Sequence, residues 1–154
     1  MSLERLSRRM SRRATNLDRE VNKVKRLAAL AIDQAVVLAT PVDTGRARSN
    51  WLVSLGDARD DEIEPYDNAR SGATYLGSDP SRFNETANAN AAIEQAKGVI
   101  AKSRIGVPIH ITNNVPYIQK LNEGHSVQAP VQFVEKAIQD GVLAVKRARI
   151  DTGK

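Results

Sequence analysis

The chain has 154 residues, a length that fits one domain of ordinary size. It contains no cysteine, which excludes disulfides and thiolate metal sites, and its 4% aromatic content leaves the core to Ala, Val, Leu and Ile. No apolar run approaches the roughly 18–20 residues of a membrane helix, and no signal-peptide core follows the basic N-terminus. We therefore expect a protein that folds in a reducing cytoplasm and has no membrane partner.

The net charge of +5 is distributed unevenly along the chain. Residues 1–26 have a net charge of +6, whereas residues 57–67 have a net charge of −5. We predict a basic helical arm over residues 1–26 and an acidic loop, which would neutralise each other between copies of an oligomer. The alternative is that both are simply solvated surfaces. The predicted arm interface consists of Arg5, Arg8, Arg9, Arg12, Arg13, Arg19, Lys23 and Arg26, and the predicted loop interface of Asp57, Asp60, Asp61, Glu62, Glu64 and Asp67.

One long helix is predicted for the first quarter of the chain. Apolar residues recur every three or four positions from about residue 3 to 39, which is typical of a helix of roughly 55 Å with one apolar stripe. A domain of this size is too small to cover all of it. We therefore expect the second half to lie on the domain and the first half to project or to dock on a neighbour. Pro41 ends the helix, because the residue before a proline disfavours helical geometry.

The middle of the chain predicts a turn, a strand and a long loop. Asp43-Thr44-Gly45 is typical of a turn in which the glycine adopts a positive φ angle. The alternating segment from Asn50 to Leu55 predicts a strand with Trp51 as a core anchor. Residues 57–84 combine Pro, Gly and acidic residues, and they predict a loop insertion.

The second half predicts a helix from 86 to 103 capped by Asn84, a strand at 107–112, a short helix at 116–122, a last helix at 131–149 and a frayed tail at 151–154. Gly124 would stop the short helix. The predicted fold class is α+β, with the long N-terminal and C-terminal helices packed on a small, mostly antiparallel sheet. Residues 27–150 would form the single domain.

No catalytic or metal-binding pattern is found. Asp43-Thr44-Gly45 matches the triplet of aspartic proteases, but Arg46 follows where those enzymes have Ser or Ala, so the turn is the better interpretation. His110 and His125 are too few for a metal site, and no P-loop, dinucleotide fingerprint or Ser–His–Asp spacing occurs. We expect no enzyme, no metal and no cofactor. The arginines favour docking on an acidic protein surface, with DNA phosphates as the other candidate.

Two motifs in a fixed order carry a family resemblance. The first is Thr40-Pro41-Val42-Asp43-Thr44-Gly45-Arg46, followed by the strand with Trp51. The second is Asn113-Asn114-Val115-Pro116-Tyr117, then Leu121-Asn122-Glu123-Gly124, then Gln128-Ala129-Pro130 and a final helix. Over about residues 25–145 the chain resembles the lambdoid-phage tail-component family of the gene-ten-product type, described as neck or tail-completion proteins. The structural residues of these motifs are Pro41, Asp43, Gly45, Trp51, Asn114, Pro116, Tyr117, Gly124 and Pro130.

The resemblance implies a structural protein of a tailed-phage virion. Members of the family look like small α+β subunits that form a ring at the head–tail junction. A homo-oligomeric ring of six or twelve copies would lie between portal or adaptor connector proteins and the tail terminator or tail tube protein, with genomic DNA passing through its lumen. The alternatives are a DNA-binding accessory protein that uses the basic helix, and the tail terminator ring itself.

Overall fold

The computed structural model describes residues 2–41, 45–66, 80–127 and 130–148, with the backbone alone for residues 80–87. The described part is a mostly helical α+β fold with a small antiparallel sheet, as predicted. Its elements in chain order are α1 (Leu3–Ala39), α2 (Arg46–Ser49), β1 (Leu52–Leu55), α3 (Pro80–Ile100), β2 (Ile109–Thr112), α4 (Ile118–Asn122) and α5 (Phe133–Arg147).

The predicted bounds are correct for α1 and wrong for the start of α3. That helix begins at Pro80, so Asn84 lies inside it and is not its N-cap, and the predicted loop insertion cannot extend to residue 84. Proline is favourable in the first turn of a helix, where its missing N–H would have no partner in any case. The four-residue helix α2, placed between the predicted turn and the predicted strand, was not expected.

The two strands pair antiparallel, from Leu52 opposite Thr112 to Leu55 opposite Ile109. The helix that lies mainly against β1 is α3, and α5 packs mainly along α1. Among the described residues, no helix combines the length and the hydropathy that crossing a membrane would require.

Trp51 is the centre of the core. Its side chain is 6% exposed, and its ring meets the ring of Phe133 edge to face, with centroids 6.5 Å apart and planes at 85°. Val36 and Val37 of α1 and small alanines of α3 complete the same cluster. A second, smaller cluster lies around Val53 and the end of α3. The core anchor predicted from the sequence is therefore confirmed.

The end of α1 is fixed by polar contacts around Thr40. The Trp51 indole Nε1 donates to the Thr40 hydroxyl at 2.7 Å, and that hydroxyl donates to the Val36 carbonyl at 2.5 Å. The guanidinium of Arg48, which is 4% exposed, donates to the Thr40 carbonyl at 2.6 Å. A buried cation at the C-terminal end of a helix is favoured by the helix dipole. The helix end and the start of the sheet are thus held as one unit.

The contact between α1 and α5 requires a glycine. A Cβ atom added at Gly141 would lie 2.4 Å from Ile32 Cγ1 and 3.3 Å from the Ala28 carbonyl oxygen. Both distances are shorter than ordinary van der Waals contact, and the second neighbour is backbone. Gly141 therefore allows the two helices to approach closely, despite the cost of about 1 kcal/mol that a glycine imposes within a helix.

Asp33 is a buried carboxyl group within α1. It is 0% exposed, and neither of its oxygens has a hydrogen-bond partner in the described part of the chain. Burial raises its pKa from 3.8 to about 7, because the charged form loses hydration that nothing replaces. Its charge also contributes, after burial, to the raised pKa of Tyr66, so the two groups lie within electrostatic reach.

Two glycines in helix interiors provide a matched pair of stability tests. Gly141→Ala should lower the free energy of unfolding by about 1–3 kcal/mol, because the added methyl group overpacks the contact with α1. Gly98→Ala should raise it by about 0.5–1 kcal/mol, because nothing lies within 4 Å of its added Cβ and only helix propensity changes. Thermal or urea unfolding measures both values. Stabilisation by Gly141→Ala would show that the helices can separate without cost.

Asp33→Asn should stabilise the protein at high pH and not at low pH. The pKa is higher in the folded state, so folded wild type keeps a proton between pH 4 and 7 that the unfolded chain has released. Its stability therefore falls across that window and levels off above it. The gain from Asp33→Asn should be near zero at pH 4 and up to about 4 kcal/mol at pH 8. Urea midpoints at the two pH values test this, and an equal gain at both would contradict it.

Candidate interaction surface

The first half of α1 stands apart from the rest of the described chain. Every residue from 2 to 19 is exposed, and partly buried positions begin at Glu20. We call residues 2–19 the free arm. At 1.5 Å per residue it spans about 25 Å. Among the described residues, no ion pair joins the free arm to the rest of the chain, and the arm is continuous with a helix that belongs to the core.

The boundary of the free arm is set by side chains that bind the end of α3. The Asn22 amide donates to the Ser103 carbonyl at 2.9 Å, and Arg26 donates to both the hydroxyl and the carbonyl of Ser103. These acceptors follow the C-terminus of α3, where the helix dipole favours cations. Arg26, which the sequence assigned to the partner interface, is instead engaged inside the chain. The assignment of Arg26 to that interface stays a prediction.

Lys25 extends the same attachment. Its ammonium donates to the carbonyls of Arg104 and Val107, each at 2.7 Å. Burial lowers the pKa of Lys25, and the neighbouring charge of Arg26 lowers it further. Lys23, by contrast, has a side chain that is 73% exposed and lies 3.7 Å from the Glu20 carboxylate. Of the three basic residues at positions 20–26, only Lys23 is exposed.

The free arm presents two stripes along its length. The apolar stripe is uncovered, with Leu3 85% and Met10 62% exposed, and it continues through Leu6, Leu17 and Val21. The basic stripe has helical spacing and consists of Arg5, Arg8, Arg12 and Arg19. Arg9 and Arg13 are the other arginines of the arm. Within the described residues, none of these six arginines has an ion-pair or hydrogen-bond partner for its side chain.

The acidic loop is only partly neutralised by its own chain. Glu62 forms an ion pair with Arg46 at 2.5 Å, and Asp61 forms one with Arg59. The hydrogen bond from Arg59 lowers the pKa of Asp61. No partner within the described part of the chain binds the three other carboxylates, which are those of Asp57, Asp60 and Glu64. Asp67 lies outside the described residues.

Two asparagines fix the backbone of the acidic loop. The amide group of Asn50 donates to the Ile63 carbonyl at 2.8 Å and accepts from the Ile63 amide at 2.7 Å, as a neighbouring strand would. Asn114 donates to the carbonyls of Arg59 and Asp61 at 3.0 and 3.1 Å. The sequence singled out Asn114 but not Asn50, because an asparagine beside a strand gives no signal of a partner thirteen residues away.

The turn before α2 needs glycine for two reasons. Gly45 has a φ angle of +75°, as predicted, and a Cβ atom there would lie 2.3 Å from the side-chain nitrogen of Asn88. Pro41 is half-buried beside this turn, whereas Asp43 lies outside the described residues. The buried Arg48 was missed, because an arginine in a polar segment is usually a surface residue.

The second motif forms the connection to α5. Gly124 has a φ angle of +93° and lies against Val131, so the predicted stop after α4 is confirmed. Asn122 accepts a hydrogen bond from the Val134 amide at 3.0 Å and donates to the Glu135 carboxylate at 2.9 Å. It therefore caps α5 from a different segment of the chain. Three other residues that the sequence singled out in this motif, Pro116, Tyr117 and Pro130, are exposed.

Both histidines bind backbone carbonyls. His110 Nε2 lies 2.8 Å from the Gly56 oxygen, and His125 Nδ1 lies 3.1 Å from the Lys120 oxygen. Among the described residues, no group of three His, Asp or Glu side chains is placed to hold a metal ion.

Shortening α1 at two points tests the boundary of the free arm. Deleting residues 1–19 should leave the melting temperature within about 2 °C of wild type, because no tertiary contact is lost. Deleting residues 1–26 should cost about 3 kcal/mol or more, because the hydrogen bonds to the end of α3 are removed. Differential scanning calorimetry compares the two, and equal losses would place the boundary before residue 20.

Comparisons with protein-family models, with curated proteins and with solved structures find no match for this chain. The resemblance to phage tail-component proteins therefore rests on the two motifs and on their order.

Proposed function

We propose that this protein is a structural component of a tailed-phage virion, a neck or tail-completion subunit that forms a homo-oligomeric ring at the head–tail junction around the DNA channel. The observation that carries the proposal is the free arm, a helix with an exposed apolar stripe and six arginines whose side chains have no partner within the described residues. The order and spacing of the two motifs support the resemblance to phage tail-component proteins.

An isolated helix of this kind is not stabilised by its own domain. Short helices are marginal in water, and apolar side chains arranged on one face favour burial against another protein surface. The free arm exposes large apolar residues at helical spacing, including Leu3 at 85% and Met10 at 62%. These properties are typical of a subunit that is completed by its neighbours.

The proposed ring has two kinds of neighbour. Portal or adaptor connector proteins would contact one face, and the tail terminator or tail tube protein would contact the other. Specificity would come from surfaces and not from a catalytic site. The tail terminator itself remains the alternative within the same class, and gene order separates the two, because terminator genes usually lie just before the gene for the major tail protein.

The second candidate function is that of a DNA-binding accessory protein. It is favoured by Arg5, Arg8, Arg12 and Arg19, which recur at helical spacing along the free arm and have no partner within the described residues. Such a stripe would contact phosphates and release counterions, so affinity for duplex DNA would fall steeply with salt. The free arm has no aromatic residue to stack on bases. A steep salt dependence that disappears when residues 1–19 are deleted would support this candidate.

The mass of the protein in solution tests the proposed ring. Light scattering should give six or twelve copies for the full chain and a monomer with unchanged thermal stability for the chain without residues 1–19. A second, full-length variant carries Leu6→Ser, Met10→Ser and Leu17→Ser, which keep every charge and remove only apolar contacts. Its mass in solution should also fall, which would show that the apolar stripe contributes to assembly.

Electron microscopy of the same samples should show closed rings for the full chain alone. A full chain that stays monomeric, and that also fails to bind purified phage connectors and tails, would contradict the proposed function.

A further inference from the structure

We infer that the partner of the free arm is the acidic loop of a neighbouring copy, so that subunits are joined arm to loop. This inference rests on the proposed function, because it names the contact that would build the ring. It concerns residues 2–19 of one copy and the described part of the acidic loop, residues 57–66, of the next.

The two surfaces have matching opposite charges. The free arm contains six arginines, one glutamate and one aspartate, which gives +4, and residues 57–66 contain five acidic residues and Arg59, which gives −4. After the internal pair between Glu62 and Arg46, a net −3 remains on the loop. Among the described residues, no ion pair joins the arm to the loop of the same chain. Charge complementarity of this kind selects partners and fixes their orientation.

The backbone of the acidic loop is held by side chains from elsewhere in the chain. Asn50 and Asn114 form four hydrogen bonds with the backbone of Arg59, Asp61 and Ile63. Binding therefore does not have to order this part of the loop first, which lowers the entropy cost of association.

Arm-to-loop contact allows more than one symmetry. If each arm meets the loop of the same neighbour that holds its own loop, the two copies close as a reciprocal twofold dimer. If each arm reaches the next copy instead, the contact produces a ring or an open filament, and the proposed ring requires this second arrangement. Pairing of two arms would bring +4 against +4, and DNA on the arm would leave the acidic loop without a partner.

Directed cross-linking tests the contact itself. The chain has no cysteine, so each introduced thiol is unique. A chain with Arg12→Cys is mixed with a chain with Asp60→Cys and oxidised mildly at high protein concentration. The mixed disulfide should form at least about tenfold faster than with Lys136→Cys, an exposed position on α5, in place of Asp60→Cys. Equal rates of disulfide formation would overturn the inference. Because the oxidation is done at high protein concentration, the test also applies if the chain is monomeric in dilute solution.

A charge swap tests the energetics. Reversing Arg5, Arg8 and Arg12 to Glu, or reversing Asp57, Asp60 and Glu64 to Lys, should each weaken self-association by about tenfold or more. A chain with both sets reversed should recover it. The control reverses Lys102, Lys120 and Lys136 to Glu, which changes the net charge as the arm variant does, and it should retain the mass of wild type.

The outcomes separate this inference from the function on which it rests. A ring that survives both single reversals overturns the arm-to-loop contact and leaves the proposed ring intact. Loss of binding to a DNA duplex in the arm variant, with an unchanged mass in the loop variant, identifies DNA as the occupant and overturns the inference. A chain that forms no ring, does not cross-link above the control and binds neither connectors nor tails contradicts both.

Discussion

The attachment of α1 to the carbonyl groups that follow α3 divides the first helix into two parts with different roles. Asn22, Lys25 and Arg26 donate to acceptors in the segment that follows α3, and they do so from one face of α1. Beyond that contact the helix belongs to the core, and before it every residue from 2 to 19 is exposed. The position of a few hydrogen bonds therefore decides which arginines support the fold and which face solvent.

Because the sheet is small, asparagine side chains bind many of the backbone groups that strands would otherwise pair. With two strands of four residues each, many backbone groups in the connections have no strand to pair with. Asn50 pairs with the acidic loop, Asn113 donates to Ala47, Asn114 holds the loop from the other side, and Asn122 caps α5. Amide side chains replace the missing backbone partners, so both candidate surfaces depend on a short list of polar contacts.

The features that could be predicted from the sequence are those with a local signal. The bounds of α1 follow from apolar periodicity and from Pro41, and the positive φ angles of Gly45 and Gly124 follow from turn chemistry. The residues that could not be predicted act over long distances. Arg26 continues the helical spacing of the arginines in the free arm, and only its hydrogen bonds to Ser103, after α3, distinguish it from them.

Further examples show the same limit. Arg48 is buried because it meets the end of a helix eight residues away, which no pattern within α2 indicates. The acidic residues of the loop were predicted from the sequence as an interface. The ion pair of Glu62 with Arg46 was not predicted, because it depends on how the loop folds back toward the start of α2. For the candidate surface, the sequence locates the charges, and the fold decides which of them are already neutralised.

The continuity of α1 has a mechanical consequence. No glycine or proline lies between Leu3 and Ala39, so α1 lacks the two residue types most often responsible for a kink. A sideways force applied near Leu3 would act over about 25 Å before it reached the contacts of Asn22, Lys25 and Arg26 with the segment after α3. Those few hydrogen bonds would thus transmit the orientation of the arm to the body of the protein.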